Sequence, residues 1–195
     1  NSITVPQNVI VDDVTAPTPD APTLADVTAE CEVTSLTAPT ASDNCAGVVT
    51  VTSDATLPIT AQGTTVVTWT YDDGNGNTTT QTQNVVIDDV TDPTAPVLAD
   101  ITGECSATAV APTTTDNCGG TITGTTTDAL TYNTQGTFVI NWTFDDGNGN
   151  SITVPQNVIV DDVTAPTPDA PTLADVTAEC EVTSLTAPTA SDNCA

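Results

Sequence analysis

The sequence predicts an all-β protein made of antiparallel β-sandwich modules of about 75 residues that are joined end to end. Three observations lead to this prediction. Bulky side chains recur at every second position in several short segments, whereas no segment shows a helical period. Proline and glycine interrupt the chain at intervals. Long parts of the sequence are also repeated, which is typical of tandem modules.

The repeat divides the chain into sister modules. Residues 1–46 recur without a change as residues 150–195, and within that period WTYDDGNGN at 69–77 returns as WTFDDGNGN at 142–150. The repeating unit is therefore a pair of related modules. We predict the last strand of a preceding module in residues 1–12, module A in 13–88, module B in 89–161, and the N-terminal part of the next module A in 162–195.

Side-chain alternation places two strands in each module. Residues 65–71 and 137–144 carry bulky side chains at alternate positions, which indicates one buried face. The runs 81–87 and 156–160 alternate in the same way, and the Asp-Gly-Asn-Gly-Asn segment before them is typical of a hairpin turn. Shorter strands are predicted at 32–36, 48–52 and 121–125. This series of short strands indicates an immunoglobulin-like topology. The side chains predicted to face the core are Val67, Trp69, Tyr71, Val85, Ile87, Ile140, Trp142, Phe144, Val158 and Val160.

Six cysteines fall into three pairs of similar spacing. Because the count is even and the chain has neither His nor a Cys-x-x-Cys motif, disulfides explain them better than a zinc site does. Disulfides imply an oxidising compartment, and therefore an extracellular or cell-surface location. The spacing predicts bonds between Cys31 and Cys45, between Cys105 and Cys118, and between Cys180 and Cys194.

The charge of the chain excludes several classes of partner. The sequence has 26 Asp and Glu but no Lys, Arg or His, giving a formal net charge of -26. Such a chain cannot neutralise phosphates, so neither nucleic acid nor an anionic membrane surface is expected as a partner. No apolar run approaches the roughly 20 residues that span a bilayer, so we expect no membrane insertion in this segment. Without His and Lys the usual general bases are missing, and we predict no catalytic role.

Acidic motifs recur in every module at positions that an immunoglobulin topology brings to one end. They are the Asp-Asp pair after the last strand, the Asp-Asn-Cys turn and the Asp-Asp-Gly-Asn-Gly-Asn hairpin. Turn preference alone would explain any single Asp. The three motifs together match the six to eight oxygens that Ca²⁺ takes, although the glycine and glutamate of an EF-hand loop are missing. The predicted calcium ligands at successive junctions are Asp12, Asp13, Asp43, Asp72, Asp73 and Asn75; Asp88, Asp89, Asp92, Asp116, Asp145, Asp146 and Asn148; and Asp161, Asp162 and Asp192.

Several segments of module B together resemble a known family. DPTAPVLADITGEC, TDNCGG, TYNTQGTFVINWTFDDGNGN and QNVIVDD are similar to hyalin-repeat (HYR-like) immunoglobulin modules, and most of all to those of long surface adhesins of gliding and biofilm-forming Bacteroidetes. The resemblance covers essentially the whole chain and implies a cell-surface stalk, filament or adhesin. Hyalin repeats commonly place their second Cys in the last strand, whereas here it follows an Asp-Asn turn, so the family's disulfide pairing does not transfer.

The function predicted from these features is structural. We expect a repeat of an extracellular fibre or adhesin stalk, stiffened by Ca²⁺ at module junctions, with neighbouring repeats of the same chain as its partners. One alternative is a multivalent module that binds glycans or another partner, which exposure of Trp69 or Trp142 would favour, and Tyr132 is the aromatic expected to be free for it. Another is a matrix protein in which divalent cations join neighbouring fibres.

Overall fold

The computed structural model describes residues 1–45 and 47–194 and confirms the all-β prediction. In these residues it contains strands and no helix. Accordingly, the described part of the chain has no helix long and apolar enough to cross a membrane. The chain forms two compact units, Asn1–Thr91 and Asp92–Ala195.

The first unit is built around a long antiparallel hairpin. Its strands are β1 (Thr18–Pro19), β2 (Val27–Ala29), β3 (Ala41–Ser42), β4 (Thr50–Ser53), β5 (Gly63–Asp72) and β6 (Thr78–Ile87). Strands β5 and β6 pair from Asp72 opposite Thr78, beside the turn, to Gly63 opposite Ile87. The main sheet has the order β2-β6-β5-β4, with β4 antiparallel to β5 and β2 parallel to the end of β6, while β1 and β3 form a separate antiparallel pair.

The long predicted strands of this unit are confirmed, and the short ones are less regular. Segments 65–71 and 81–87 lie within β5 and β6, and segment 48–52 overlaps β4. Segment 32–36 forms only an isolated bridge between Val33 and Ile59. No strand is assigned to residues 1–17, although a strand is predicted in residues 1–12, because no neighbouring strand pairs with this segment.

The core of the first unit lies on the predicted face of the hairpin. Trp69 and Tyr71 are 4% and 0% exposed, and Val33 and Ile59 pack in the same cluster. The two aromatic polar groups are satisfied by β6, since Trp69 Nε1 donates to Gln83 Oε1 at 3.0 Å and the Tyr71 hydroxyl donates to Gln81 Oε1 at 2.8 Å. Both glutamines also donate through Nε2 to carbonyls of the proline-rich segment 12–26, which is thereby held along β6.

The second unit repeats the same plan. Its strands are β7 (Ile101–Gly103), β8 (Ala107–Thr108), β9 (Thr113–Thr115), β10 (Thr121–Thr123), β11 (Thr131–Tyr132), β12 (Gly136–Asp145), β13 (Ser151–Val160), β14 (Thr167–Pro168) and β15 (Ala190–Ser191). Strands β12 and β13 pair from Asp145 opposite Ser151 to Gly136 opposite Val160, and β7 runs parallel to the end of β13. Three further pairs, β9 with β10, β8 with β11 and β14 with β15, are antiparallel.

Its core confirms the predicted inward face. Trp142 and Phe144 are 1% and 0% exposed, and the Trp142 indole donates to Gln156 Oε1 at 2.8 Å, as Trp69 does to its glutamine. A Cβ at Gly124 would lie 3.0 Å from the ring of Phe144, so glycine there allows the chain to cross the aromatic closely. The core lies between the β12–β13 hairpin and the facing segments, as in a β-sandwich.

The long hairpin gives each unit two ends, and the candidate sites described below lie at one or the other of them. The hairpin end is where the turn lies, at Asp72–Thr78 and at Asp145–Ser151. The exit end is where β6 and β13 finish, and there β2 and β7 lie alongside. Ten-residue strands separate the two ends by about 30 Å.

Candidate metal centre

The hairpin turn of the first unit is folded around its own carboxylates. Asp72 Oδ1 accepts a hydrogen bond from Gly74 N at 2.8 Å. Asp73 Oδ1 accepts from the backbone of Asn75 at 2.7 Å and of Asn77 at 3.1 Å, and Asp73 Oδ2 accepts from Asn77 Nδ2 at 2.7 Å. Glycine is needed at position 74 because φ is +78°. The two aspartates therefore shape the turn.

The turn of the second unit is built identically. Asp145 Oδ1 accepts from Gly147 N at 2.8 Å, and Asp146 Oδ1 accepts from the backbone of Asn148 at 2.7 Å and of Asn150 at 3.2 Å. Asn150 Nδ2 donates to Asp146 Oδ2 at 2.8 Å. The asparagine that closes each turn was not among the predicted site residues, although its recurrence at the end of DDGNGN was a visible signal.

These hydrogen bonds hold the second carboxylate of each turn in its charged form. Partial desolvation raises the pKa of Asp73 and of Asp146, but the hydrogen bonds, first those from the Asn77 and Asn150 side chains, outweigh it. The pKa of both groups is therefore lower than the ordinary value of 3.8. Each turn carries a fixed negative charge at its hairpin end.

The first unit gathers further carboxylates beside this turn. Ligand atoms of Asp13, Asp43 and Cys45 lie within 4.8 Å of one another. Asp13 is tied to the hairpin, since its Oδ2 accepts from Asn75 Nδ2 at 3.1 Å and its carbonyl accepts from Asn77 Nδ2 at 3.0 Å. The Asp-Asp segment and the Asp-Asn-Cys turn thus meet at the hairpin end, and the cluster could hold a metal ion.

One oxygen of this cluster has no hydrogen-bonding partner. Asp43 Oδ1 accepts from Cys45 N at 2.9 Å, but Asp43 Oδ2 is buried and receives no hydrogen bond. An ionised oxygen removed from water and placed beside a second carboxylate is destabilising unless a cation compensates. Asp116 in the second unit has the same arrangement, with Oδ2 accepting from Cys118 N at 3.0 Å and a buried Oδ1 that receives no hydrogen bond.

A second complete cluster lies near the end of the chain. Ligand atoms of Asp162, Asp192 and Cys194 also lie within 4.8 Å of one another. Asp162 Oδ1 accepts from Thr164 N at 3.1 Å, and Asp192 Oδ1 accepts from Cys194 N at 2.9 Å. Because Cys194 is oxidised in a disulfide with Cys105, its sulfur is no thiolate, and oxygen atoms are the donors left. Oxygen donors suit a hard cation such as Ca²⁺ better than Zn²⁺.

The sulfur in the first cluster is also a poor metal ligand. Cys45 is a free thiol. Partial desolvation, together with the nearby carboxylates of Asp13, Asp43 and Asp73, raises the pKa of Cys45, which disfavours the thiolate that a metal would require.

The remaining predicted ligands lie outside these two clusters. Asp12, Asp88, Asp92 and Asp161 are exposed. Asp89 is 4% exposed, and its Oδ1 accepts from Thr91 N at 3.2 Å. Asn75 contributes its amide nitrogen to Asp13 in place of the oxygen expected of a ligand. The first cluster is thus smaller than its predicted ligand set because Asp72 and Asp73 accept hydrogen bonds within their own turn, and the second lacks the exposed Asp161. Asp145 and Asp146, predicted for the junction at Asp116, also accept hydrogen bonds within their own turn.

The three predicted disulfides are wrong. Cys105 is bonded to Cys194 and not to Cys118, while Cys45 and Cys180 are free thiols. The predicted bonds of Cys31 with Cys45 and of Cys180 with Cys194 are therefore absent as well, although Cys31 and Cys118 are each disulfide-bonded.

The topology explains this error. Cys105 follows β7 at the exit end, whereas Cys118 follows β9, whose partner β10 leads to the bridge between Thr125 and Thr143 towards the hairpin end. A disulfide requires Cα atoms within about 7 Å, far less than the length of the hairpin. Cysteines close in sequence therefore lie at opposite ends of one module. Cys194, which comes from the segment after β13, does reach Cys105.

Glu104 organises the exit end around this disulfide. It accepts hydrogen bonds from Thr164 Oγ1 at 3.0 Å and from Asn193 Nδ2 at 2.6 Å. Gln135 completes the arrangement, since its Nε2 donates to the Glu104 carbonyl at 2.8 Å and its Oε1 accepts from Asp162 N at 2.8 Å. The sequence prediction missed these residues. Their signals were the Glu-Cys pair and the Asp-Asp-Val-Thr segment, which recur in every module.

The comparisons with known proteins point to one named relative. No protein-family model matches the chain. Over 181 residues the chain is 34% identical to hyalin from Lytechinus variegatus, in a match that covers 82% of the chain and 34% of hyalin. The chain thus spans about a third of the length of that relative. This match supports the predicted hyalin-like relationship.

Two solved structures share only a distant likeness. An endo-fucoidan hydrolase of glycoside hydrolase family 107 has a TM-score of 0.35 and 18% identity, over 83% of this chain and 31% of its own. The human desmocollin-1 ectodomain has a TM-score of 0.32 and 14% identity, over 80% of this chain and 39% of its own.

Proposed function

We propose that the chain is a structural repeat of an extracellular fibre or adhesin stalk in which calcium stiffens the joints between modules. The observation that carries the calcium part is Asp43 Oδ2, an oxygen that is buried, lacks a hydrogen bond and lies in one cluster with Asp13. The exact repetition of the sequence and its similarity to hyalin support the structural part.

The oxygen-rich clusters explain why a cation would matter for the joint. Each complete cluster joins a carboxylate from the Asp-Asp segment that follows the last strand of a module to one from the Asp-Asn-Cys turn of the next module. Asp13 and Asp43 would hold the ion at the first cluster, and Asp162 and Asp192 would hold it at the second. A bound Ca²⁺ would supply the positive charge that this chain, without Lys, Arg or His, does not contain.

The disulfide and the candidate calcium clusters support an extracellular location. The disulfide between Cys105 and Cys194 is typical of proteins in oxidising compartments. Extracellular calcium-binding modules bind Ca²⁺ with a Kd of about 10⁻⁴–10⁻³ M.

The aromatic residues favour a structural function over glycan binding. Trp69 and Trp142 are buried with their indole nitrogens bonded, so neither offers a flat face to a sugar. Tyr132, the aromatic expected from the sequence to be free for glycan binding, stacks on Phe138 with ring centroids 4.5 Å apart. In the described part of the chain the large aromatic side chains therefore serve packing.

Thermal unfolding in calcium and in chelator tests the proposal. At a calcium concentration one hundred times its Kd, each site adds about 2.7 kcal/mol of stability. We expect a higher Tm in calcium than in chelator and a much smaller effect of Mg²⁺ at equal concentration. Light scattering in the same samples separates a single stalk, which stays monodisperse, from a matrix protein whose chains are joined by cations. An unchanged Tm would refute the calcium part.

A further inference from the structure

The disulfide at the exit end is one part of a three-point attachment. The pair Glu104 and Cys105 receives a covalent bond from Cys194 and hydrogen bonds from Asn193 and Thr164. The hydrogen-bond donors are a neutral amide and a neutral hydroxyl. A carboxylate is thus recognised without any cationic side chain, as a chain without Lys, Arg and His requires.

The same three side chains occur again near the start of the chain. Residues 1–46 are identical to residues 150–195, so Thr15, Asn44 and Cys45 are the counterparts of Thr164, Asn193 and Cys194. In the described residues none of these three donates to a glutamate. Cys45 is exposed and reduced, and Asn44 Nδ2 lies 3.6 Å from its sulfur.

The residues around Cys45 have the same local geometry as those around the disulfide-bonded Cys194. Asp13 Oδ1 accepts from Thr15 N at 3.1 Å, the distance found between Asp162 and Thr164. Asp43 Oδ1 accepts from Cys45 N at 2.9 Å, as Asp192 does from Cys194. The short strand pairs β1–β3 and β14–β15 also have equivalent registers.

We propose that Thr15, Asn44 and Cys45 form a docking site for the exit end of another copy of module B, to which Cys45 becomes joined by a disulfide. The glutamate of that Glu-Cys pair accepts hydrogen bonds from Thr15 and Asn44, and its cysteine bonds to Cys45. The first unit shows that the Thr–Glu contact is a general feature of these exit ends, because Thr91 Oγ1 donates to Glu30 Oε2 at 2.9 Å.

The reaction needs a two-electron oxidant, for which a low-molecular-weight disulfide such as oxidised glutathione is sufficient. One protein thiolate attacks glutathione disulfide, which gives a mixed disulfide and releases one reduced glutathione. The second protein thiolate then attacks the protein sulfur of the mixed disulfide and releases the second reduced glutathione. Two thiol protons are transferred to the two glutathione thiolates or to buffer.

The test lengthens the chain by one module. Residues 89–149 are placed before Asn1, with the added cysteine that corresponds to Cys118 changed to Ser. Because residues 1–12 repeat residues 150–161, the fusion restores a complete module B sequence. The protein is reduced, reoxidised with glutathione in chelator, alkylated and cut before Asp without reduction. Chelator makes the result independent of the calcium proposal.

The peptide that contains Cys45 gives an unambiguous result. It runs through residues 43–53 and differs from the peptide of Cys194, which ends with the chain. We expect it linked to a peptide with the sequence of residues 100–115, which contains the Glu-Cys pair of module B, while Cys180 remains alkylated as an internal control. Recovery of peptide 43–53 as an alkylated thiol, as a glutathione adduct, as a dimer with itself or linked to peptide 26–42, which contains Cys31, would overturn the proposal.

Variants of the hydrogen-bond donors test the docking site itself. Asn44→Ala should slow formation of the Cys45 bond roughly tenfold, the effect expected for losing one hydrogen bond to a charged group. Asn193→Ala is the matched control, since it changes the same local sequence at the other copy and should leave the Cys45 bond unaffected. Equal rates for both variants would contradict recognition of the glutamate by Asn44.

Discussion

The two copies of the repeated sequence, residues 1–46 and residues 150–195, differ in structure although they have the same residues. In the second copy Ser151–Val160 is a strand that pairs with β12 and β7. In the first copy the corresponding residues form no strand. Val158 is 0% exposed, whereas Val9, its counterpart, is 82% exposed. Strand structure in this sequence therefore depends on a neighbouring strand and not on the segment itself.

In the middle of the repeat the same dependence holds, but here the first copy forms the strand and the second does not. In the first copy Val27–Ala29 pairs with β6, and Val33 is 7% exposed. In the second copy no strand covers the corresponding residues, and Val182 is 48% exposed. Each copy forms strands and buries its valines where a long-range partner strand is present.

The acidic turns do not depend on such partners. The Asp-Asn-Cys turn and the hydrogen bond from Thr N to the preceding Asp have the same geometry in both copies. These contacts join residues two positions apart, so they form from the local sequence alone. Both copies thus retain the local hydrogen bonds of the turns, whereas each strand pairing that depends on tertiary contacts occurs in only one copy.

Replacing the equivalent cysteine in each copy should give the largest difference in the free energy of unfolding between the two copies. Cys194→Ser breaks the bond to Cys105 and should lower the free energy of unfolding by about 2–4 kcal/mol. Cys45→Ser changes the same local sequence but removes no bond, and should alter stability by less than about 0.5 kcal/mol. Urea unfolding followed by far-ultraviolet circular dichroism, which reports on the strands of both units, measures both. In reducing buffer the two variants should become alike, and equal effects in oxidising buffer would contradict the account.

Truncating one valine in each copy tests the strand comparison. Val158→Ala removes buried methyl groups from the core and should destabilise the second unit by about 2 kcal/mol. Val9→Ala, at the identical position of the first copy, should change stability by less than about 0.5 kcal/mol. The same urea experiment gives both values. A substantial cost for Val9→Ala would show that residues 1–12 are packed in solution.

Acid unfolding should show a smaller difference at the hairpin. The pKa of Asp146 is lowered in the folded state, so its contribution to stability is complete above the unfolded pKa and is lost as pH falls through the folded pKa. Asn150→Ala removes the donor to Asp146, which should raise that pKa and shift the acid-unfolding midpoint to higher pH. Asn1→Ala, the same change in the first copy, should leave the midpoint unchanged. Carboxyl NMR titration of Asp146 checks the cause.

The long hairpins could be predicted from the sequence because alternation reports the buried face directly. Val67, Trp69 and Tyr71 needed no knowledge of the partner strand to be assigned to the core. The same alternation also predicted a strand in residues 1–12, but no strand forms there because the pattern does not report whether a partner strand is present.

The disulfides and the full ligand sets could not be predicted in this way. Spacing measures distance along the chain, whereas Cys105 and Cys118 are separated by the length of a hairpin. The predicted gathering of Asp13 with Asp43 required only that two turns lie at one end, and the structure brings them together. The sequence does not show which carboxylate oxygens accept hydrogen bonds in the fold. Asp73 and Asp146 accept them from the backbone of their own turns and lie outside the clusters.

Calcium titration by isothermal calorimetry of the wild-type chain and of Asp43→Asn tests the central claim most directly. Asp175→Asn is the matched control, because it removes the same charge from an exposed aspartate outside the clusters. We expect calcium binding with a Kd of about 10⁻⁴–10⁻³ M or tighter, as in extracellular modules, one site fewer in Asp43→Asn, and no change in Asp175→Asn. Absence of binding by the wild type, or identical titrations of the wild type and Asp43→Asn, would contradict the account.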